Sequence, residues 1–179
     1  YRSDMDLIWV STGGGKTEAY LCCIAISILY QRLLDPKALG VDVIMRYTLR
    51  LLTAQQFERA SAIICALEFL RQQPGMGLGD NIISIGLWVG GKATPNNAEK
   101  AKEALNDMAK PKLLESNHFQ LLRCPWCREP YSLVPRDEEK ERINSWGYSS
   151  ATRKNVPWDM KCMNPACEFH TGLPVFVVD

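Results

Sequence analysis

The chain has 179 residues, and its 21 Lys or Arg against 20 Asp or Glu give a formal net charge of +1. This balance excludes a protein that binds nucleic acid through overall positive charge, so any nucleic-acid surface must be local. No signal peptide is visible, and the longest apolar run, residues 21–30, is shorter than the about 20 residues that cross a bilayer, so we predict a cytoplasmic protein with no membrane partner.

A glycine-rich loop follows the apolar stretch 7–10, which is the first predicted strand. Residues 10–18 read V-S-T-G-G-G-K-T-E. Glycine N–H groups can surround phosphates, Lys16 can reach the β- and γ-phosphates, and the Thr17 hydroxyl can ligate Mg²⁺. We therefore predict an ATP and Mg²⁺ site with Lys16 and Thr17 as its catalytic residues; the alternative is a flexible turn between a strand and a helix. The predicted ATP-binding residues are Thr12, Gly13, Gly14, Gly15, Lys16 and Thr17.

Helices and strands alternate along the next hundred residues. Helical periodicity covers 16–34 and 49–71, and apolar runs predict buried strands at 41–47 and 82–89. A polar helix is predicted over 94–110. This alternation is typical of an α/β fold, a parallel sheet with helices on both faces. The glycine loop then lies at the carboxyl end of the first strand, where such folds bind ligands.

Polar residues surround the boundary between the second predicted strand and the second predicted helix. These are Arg46, Thr48, Arg50 and Gln55. Arginine side chains and the N–H groups of a helix N-terminus are suitable donors to phosphate oxygens. We predict that the four residues bind nucleic acid; a solvated polar turn with ordinary surface arginines is the alternative.

Both segments resemble motifs of superfamily 2 helicases. Residues 12–17 resemble the T-G-x-G-K-T form of the phosphate loop, with Val10 in place of the first glycine of the general P-loop pattern. Residues 48–55 resemble the P-T-R-x-L-x-x-Q motif: Arg50, Leu52 and Gln55 match, whereas the proline and the first threonine do not. The resemblance implies a RecA-like P-loop lobe that contacts the nucleic-acid backbone.

Two longer strings are similar to a narrower family. Residues 12–21 (T-G-G-G-K-T-E-A-Y-L) and 45–60 (M-R-Y-T-L-R-L-L-T-A-Q-Q-F-E-R-A) resemble the helicase-like proteins of bacterial DISARM anti-phage systems. That resemblance implies a helicase or translocase that uses ATP and acts on DNA. It also implies a protein partner within a multi-component defence complex.

Four of the seven cysteines form two close pairs, C-P-W-C at 124–127 and C-M-N-P-A-C at 162–167. Two turns that each offer two thiolates provide the tetrahedral sulfur ligands that Zn²⁺ prefers. We predict a closed, structural Zn²⁺ site; the alternatives are a redox pair or packing cysteines without metal. The predicted ligands are Cys124, Cys127, Cys162 and Cys167.

The residues around these pairs favour a packing role over DNA binding. Basic and acidic residues nearly balance between 118 and 170, so the aromatic residues of this region are predicted to pack a small core around the metal. The other three cysteines lie in apolar, helix-like segments and are predicted to pack as small hydrophobic residues. They are Cys22, Cys23 and Cys65.

These segments predict an ATP-binding lobe at 1–121, a zinc-ribbon-like insertion at 122–172 and a strand at 173–179 that returns to the lobe. Apolar segments next to both ends indicate a piece of a longer protein. Asp179 is a candidate Mg²⁺ ligand. A strand-ending aspartate without a catalytic role is favoured, because superfamily 2 lobes carry a further DNA-contact motif before that strand and none is found here.

The favoured function is an ATP-dependent nucleic-acid helicase or translocase, with this chain alone inactive. In superfamily 2 the arginines that complete the catalytic site come from a second lobe. The alternative is another P-loop NTPase or kinase whose zinc insertion docks a protein. The two differ at Arg50 and Gln55, which only the motor needs for nucleic-acid binding.

Overall fold

The computed structural model describes residues 15–46, 50–88, 99–100, 103–104, 120–131, 147–150 and 158–178. Within these ranges the chain combines two long helices with four short strands, the mixture of helix and strand that the sequence predicts. The first predicted strand lies outside them. The elements are α1 (Lys16–Leu34), α2 (Arg50–Arg71), β1 (Ile85–Trp88), β2 (Tyr148–Ser150), β3 (Trp158–Met160) and β4 (Val175–Val178).

The first helix, α1, has the bounds that the sequence predicts. Gly15 precedes it with φ 74° and ψ 17°, a left-handed conformation that glycine adopts without a Cβ clash. At the other end, the Asp35 N–H donates to the Gln31 carbonyl at 2.9 Å, and Pro36 follows. Proline cannot continue a helix, so the local signals at both ends were sufficient to predict α1.

The second helix, α2, packs along α1. Ile28 of α1 is buried with Ile64 and Leu67 of α2 in one apolar cluster. Near the start of both helices the Tyr20 hydroxyl donates to the Gln56 side-chain oxygen at 2.7 Å. The predicted helix 49–71 is confirmed from Arg50 onward, and residue 49 lies outside the described residues.

The strands form two small sheets. β1 pairs in parallel with β4, with Ile85 opposite Val175 and Trp88 opposite Val178. The last strand thus pairs with residues of the predicted strand 82–89, and its return to a RecA-like lobe stays a prediction. β2 and β3 pair antiparallel in the segment between the two cysteine pairs. The structure thus contains a small parallel sheet; the larger RecA-like sheet with helices on both faces stays a prediction.

Residues 41–46 do not form the buried strand that their sequence predicts. They form no strand in the described part of the chain, and Val41 and Ile44 are 78% and 86% exposed. A strand requires a ladder partner as well as an apolar pattern, and among the described residues no strand lies beside them. For residues 41–46 the prediction of a buried strand is wrong, and residue 47 lies outside the described residues.

The main core joins α2, the cysteine pairs and the parallel sheet. Ile85 of β1 packs against this core and also against the cluster between α1 and α2. The two apolar clusters are therefore connected through β1. The buried members of the main core are Phe57, Cys65, Leu121, Cys124, Tyr131, Met160, Cys162, Cys167, Phe169, Leu173, Val175 and Val177.

Candidate metal centre and phosphate loop

The structure brings the four predicted cysteine ligands together. Their Sγ atoms all lie within 4.8 Å of one another. The Cys127 and Cys162 sulfurs, one from each pair, are 3.3 Å apart. Cys127 is exposed, whereas the other three cysteines are buried. The cluster therefore has one face toward solvent and is otherwise enclosed by the core.

The first pair lies on a tight turn, which we call the first knuckle (residues 123–130). The Cys124 N–H donates to the Glu129 carbonyl at 2.8 Å, and the Arg128 N–H donates to the Cys124 carbonyl at 3.0 Å. Arg128 has a positive φ of 68°, which turns the chain back so that 123 and 130 form a β-bridge. This backbone geometry directs both cysteines of the turn to one side.

The second pair lies on the second knuckle (residues 162–169). The Cys162 N–H donates to the Phe169 carbonyl at 2.9 Å, and the Cys167 N–H donates to the Asn164 carbonyl at 3.0 Å. The Asn164 side chain accepts from the Ala166 N–H at 2.9 Å, and the Asn164 N–H contacts the Cys162 sulfur at 3.4 Å. Asparagine thus stabilises the turn and supplies an N–H donor to a ligand sulfur.

The environment perturbs the cysteine thiols differently. Burial raises the pKa of Cys162, and it raises the pKa of Cys167 to about 11. Partial burial also acts to raise the pKa of Cys127, but a hydrogen bond from the Glu129 backbone and contacts with the neighbouring cysteines outweigh it and lower that pKa. Thiolates are the ligand form, so metal binding must release the protons of the buried thiols.

Four converging sulfurs fit a tetrahedral metal. A Zn–S bond of about 2.3 Å places tetrahedral sulfur ligands about 3.8 Å apart. The observed separations are compatible with that value, since Cys127 and Cys162 are 3.3 Å apart and all four sulfurs lie within 4.8 Å of one another. Four thiolates can thus hold an ion such as Zn²⁺, and a complete set leaves no open position for substrate. Closed four-cysteine arrangements are typical of structural sites.

Side chains of α2 and of the knuckles surround the cluster. Trp126 lies between the Phe69 ring of α2, with centroids 5.3 Å apart, and the Phe169 ring, at 5.6 Å. The predicted packing of aromatic residues beside the cysteines is confirmed for Trp126 and Phe169. Cys65 of α2 is fully buried in the same core. Burial, and then the charges of the nearby cysteine ligands, raise the pKa of the Cys65 thiol.

A charged contact also joins α2 to the first knuckle. Glu58 accepts a hydrogen bond from Arg128 at 2.8 Å, and the Arg123 Nε lies 4.0 Å from the same carboxylate oxygen. Sequence reasoning missed Glu58, Cys65 and Phe69 as neighbours of the metal centre. Their spacing of seven and four residues places them on one helix face. Such spacing identifies residues that share a face, but it does not identify the element that the face contacts.

The prediction that all three remaining cysteines pack as hydrophobic residues is wrong for two of them. Cys65 is buried, but Cys22 and Cys23 of α1 are exposed. The buried stripe of α1 consists of Leu21, Ile28 and Arg32. Cys22 and Cys23 follow Leu21 by about 100° and 200° around the helix, which turns them away from that stripe.

The described part of the phosphate loop is its last three residues. Gly15 is the N-cap of α1, Lys16 is exposed in the first turn, and Thr17 is half-buried. The predicted ATP-binding residues Thr12, Gly13 and Gly14 lie outside the described residues. The ATP and Mg²⁺ assignments therefore stay predictions.

The predicted nucleic-acid residues are described only in part. Arg46 and Gln55 are exposed, and Arg50 is the first residue of α2. The Arg50 side chain and the whole of Thr48 lie outside the description, as does Asp179. Arg46 lies in a groove between α1 and residues 43–46, whose other wall includes Tyr20 and Ile24. Binding of nucleic acid by these residues stays a prediction.

Among the described residues, α1 is a helix with the length and apolarity to cross a membrane. It has 19 residues and a mean hydropathy of 1.2 in its most apolar window. The apolar part of α1 is therefore longer than the run 21–30, from which we predicted that no segment crosses a membrane. Length and composition alone do not identify a membrane-spanning helix, because core helices of soluble proteins and signal sequences have the same properties. In the structure α1 packs along α2.

No protein-family model matches the chain. The chain is 34% identical, over an alignment of 191 residues, to the DISARM protein DrmA of Bacillus paralicheniformis (strain ATCC 9945a / NCIMB 11709 / CD-2). The alignment covers 99% of this chain and 16% of that protein. The chain is therefore similar, over nearly its whole length, to one segment of a much longer DISARM protein.

Proposed function

We propose that the chain is the ATP-binding part of a DNA-dependent ATPase that acts in anti-phage defence. In this proposal it is a RecA-like lobe of superfamily 2 type, at 1–121 and 173–179, with a structural zinc insertion at 122–172. Its similarity to a DISARM protein supports the defence role. The T-G-G-G-K-T loop at 12–17 and the segment 48–55, with Arg50 and Gln55, support the helicase or translocase activity.

One observation carries the proposal: α1 and α2, the helices that begin at the two motifs, are joined near their N-terminal ends. Tyr20, three residues after Thr17, donates to Gln56, the neighbour of Gln55. Glu18 forms an ion pair with Arg59 one turn further along α2. A nucleotide bound at α1 and nucleic acid bound at the start of α2 would therefore share a direct connection, which a DNA-stimulated ATPase requires.

The proposed roles follow from side-chain chemistry. Lys16 binds the β- and γ-phosphates, and Thr17 ligates Mg²⁺. Arg50 and Gln55, together with Arg46 and Thr48, contact the nucleic-acid backbone. Zn²⁺ supplies structural cross-links between the knuckles. The proposed partners are DNA and the other proteins of a defence complex in the cytoplasm.

The test is the ATPase activity of the intact protein with and without DNA. We expect DNA to stimulate hydrolysis, Lys16→Ala to abolish it, and Arg50→Ala to weaken DNA binding by about tenfold with nucleotide affinity unchanged. Lys37→Ala, which removes a positive charge from an exposed turn, is the matched control and should leave both affinities unchanged. An Arg50→Ala protein with unaltered DNA affinity would contradict the proposed role of α2.

The 179-residue chain alone should bind ATP without turning it over. In superfamily 2 proteins the arginines that stabilise the transferred phosphate come from a second lobe. Nucleotide binding can be followed by titration with a fluorescent ATP analogue, and hydrolysis by phosphate release. Robust ATPase activity of the chain alone would contradict the split catalytic site.

A second candidate is a P-loop NTPase or kinase whose zinc module docks a protein. Arg123 and Arg128, the basic residues of the first knuckle, already contact Glu58 of α2. This pairing leaves less positive charge there for phosphate contacts. Hydrolysis that DNA does not stimulate, combined with loss of a protein partner on deletion of 122–172, would favour this candidate.

A further inference from the structure

We propose that the cysteine-bound metal positions α2, by holding the first knuckle against one face of that helix. Glu58, Cys65 and Phe69 are the positioning residues on the α2 side. This role of the metal is independent of what α2 binds. Its consequence for DNA, stated below, rests on the proposed function.

The three positioning residues form one stripe along α2. At about 100° per residue, Glu58, Cys65 and Phe69 fall within about 40° of one another around the helix. Gln56 and Leu67, which face α1, fall on the opposite side. The contacts agree with this division, since Gln56 bonds to Tyr20 of α1, whereas Phe69 packs on Trp126. Helix α2 is therefore held between α1 and the metal centre.

The aromatic contact depends directly on the metal ligands. Trp126 lies between Cys124 and Cys127 in the chain, so its ring position follows from how that turn is held. The ring packs on Phe69 at 5.3 Å and, edge on, against Phe169 of the second knuckle at 5.6 Å. A metal that joins the knuckles thus fixes the ring that supports α2.

The charged contact lies at one position along the axis of α2. Arg123 and Arg128 flank the first cysteine pair, and both approach the same oxygen of Glu58. The arginine side chains are 51% and 58% exposed, so the pairs contribute little to stability. Their geometry nevertheless ties both ends of the turn to one position of α2.

Among the described residues, the other links between the knuckles are apolar contacts, such as that of Trp126 with Phe169, and such contacts are not directional. Each knuckle is stabilised by its own backbone hydrogen bonds, and the cysteine sulfurs meet where the two turns come together. Metal–sulfur bonds would cross-link turns that are far apart in the sequence. Without them, the first knuckle keeps its local fold but loses its fixed distance from the second knuckle, and α2 loses its support.

The experiment compares hydrogen exchange in α2 with metal content in the intact protein. Cys127→Ser removes the exposed ligand and so leaves no cavity in the core. We expect it to lose zinc and to raise amide exchange at least tenfold over residues 57–70, with little change in α1. Cys22→Ser, which removes an exposed thiol of α1, is the matched control and should change neither zinc content nor exchange.

Two further measurements keep the test decisive if Cys127→Ser folds poorly. In the unaltered protein, exchange over 57–70 should rise on chelation and recover on zinc addition, in proportion to bound zinc. Glu58→Gln should retain zinc but raise exchange by a smaller factor. Zinc loss with unchanged α2 exchange in the unaltered protein would overturn the proposal.

DNA affinity separates this proposal from the proposed function. If both hold, chelation speeds α2 exchange and weakens DNA binding together. If α2 exchange responds to zinc but no DNA binds at any zinc level, the positioning role stands and the motor function fails. Weaker DNA binding without a change in α2 exchange would instead contradict the positioning role.

Discussion

Glu68 is a buried carboxylate near the end of α2 that accepts four hydrogen bonds. Its carboxylate accepts from the Arg71 Nε at 2.8 Å and Nη2 at 2.7 Å, from the Gln72 side chain at 2.9 Å, and from the Ile83 N–H at 2.8 Å. Arg71 also donates to the Gly79 carbonyl at 3.0 Å. One buried carboxylate thus joins the end of α2 to the loop that leads to β1.

Replacing this carboxylate should cost the protein much of its stability. Glu68→Gln keeps the side-chain shape but leaves the guanidinium of Arg71, which is 15% exposed, without its charged partner. We expect the free energy of unfolding to fall by about 2–4 kcal/mol, because breaking a buried ion pair leaves an uncompensated charge. Urea unfolding measures this, with the exposed Glu99→Gln as control. A loss below about 1 kcal/mol would contradict the assigned role.

The hydrogen bonds of Glu68 predict that the free energy of unfolding depends on pH. Burial alone would raise the pKa of Glu68, but hydrogen bonds from Arg71, the Ile83 N–H and Gln72 outweigh it and hold the pKa below its ordinary value of 4.5. The stabilisation is therefore fully present above pH 4.5 and is lost as pH falls through the folded-state pKa.

The stability difference between the unaltered protein and Glu68→Gln should thus shrink as pH falls from about 7 to about 3. Both proteins carry the same cysteines, so acid release of metal affects them alike. Urea unfolding at a series of pH values measures the difference. A difference that stays constant across this range would show that the charge of Glu68 does not carry the effect.

At the scale of elements, the helices could be predicted from sequence because their signals are local. Gly15 and Asp35-Pro36 fix the two ends of α1, and both act through neighbouring backbone groups. Strand 41–47 was predicted from an equally apolar run, yet Val41 and Ile44 are exposed. A strand depends on a partner that is distant in the chain, which an apolar run alone does not identify.

The candidate metal centre shows the same division between local and distant information. The spacing within 124–127 and 162–167 predicts two knuckles, because each is a short turn. Nothing in that spacing identifies Glu58 or Cys65 as neighbours of the metal, since both belong to a helix more than fifty residues earlier. Residue chemistry predicts the candidate ligands, and only the fold shows which residues lie beside them.

The loop between α2 and β1 contains a close backbone approach that requires glycine. Gly79 has φ +76°, and a Cβ at this position would overlap the Pro36 carbonyl after α1. Gly77 has φ +67° but faces open space. The two glycines thus share a left-handed conformation and differ in whether a side chain fits.

Alanine at each position separates conformational strain from overlap. Gly77→Ala should lower the free energy of unfolding by about 1 kcal/mol through left-handed strain. Gly79→Ala should lower it by at least about 2 kcal/mol more, because the backbone at Pro36 must move and the bond from Arg71 to the Gly79 carbonyl is disturbed. Urea unfolding of both variants measures the difference. Equal losses would show that the approach to Pro36 imposes no constraint.

For the whole molecule, the metal centre and the parallel sheet share one core. Cys124, Cys162 and Cys167 are buried in the same cluster as Val175 and Val177 of β4. β1 then connects this cluster to the one between α1 and α2 through Ile85. The sequence predicts an insertion at 122–172, and the buried residues described in it share one cluster with α2 and β4.

Shared packing predicts that the zinc-loaded chain unfolds in a single calorimetric transition. At free zinc about 1,000-fold above its Kd, binding stabilises the folded state by about 4 kcal/mol. For a chain of this size that shift corresponds to a Tm increase of about 8–16 °C. Because one core contains both the ligands and the sheet, the whole transition should move with zinc concentration. Two transitions, of which only one moves with zinc, would instead show that residues 122–172 fold as an independent unit.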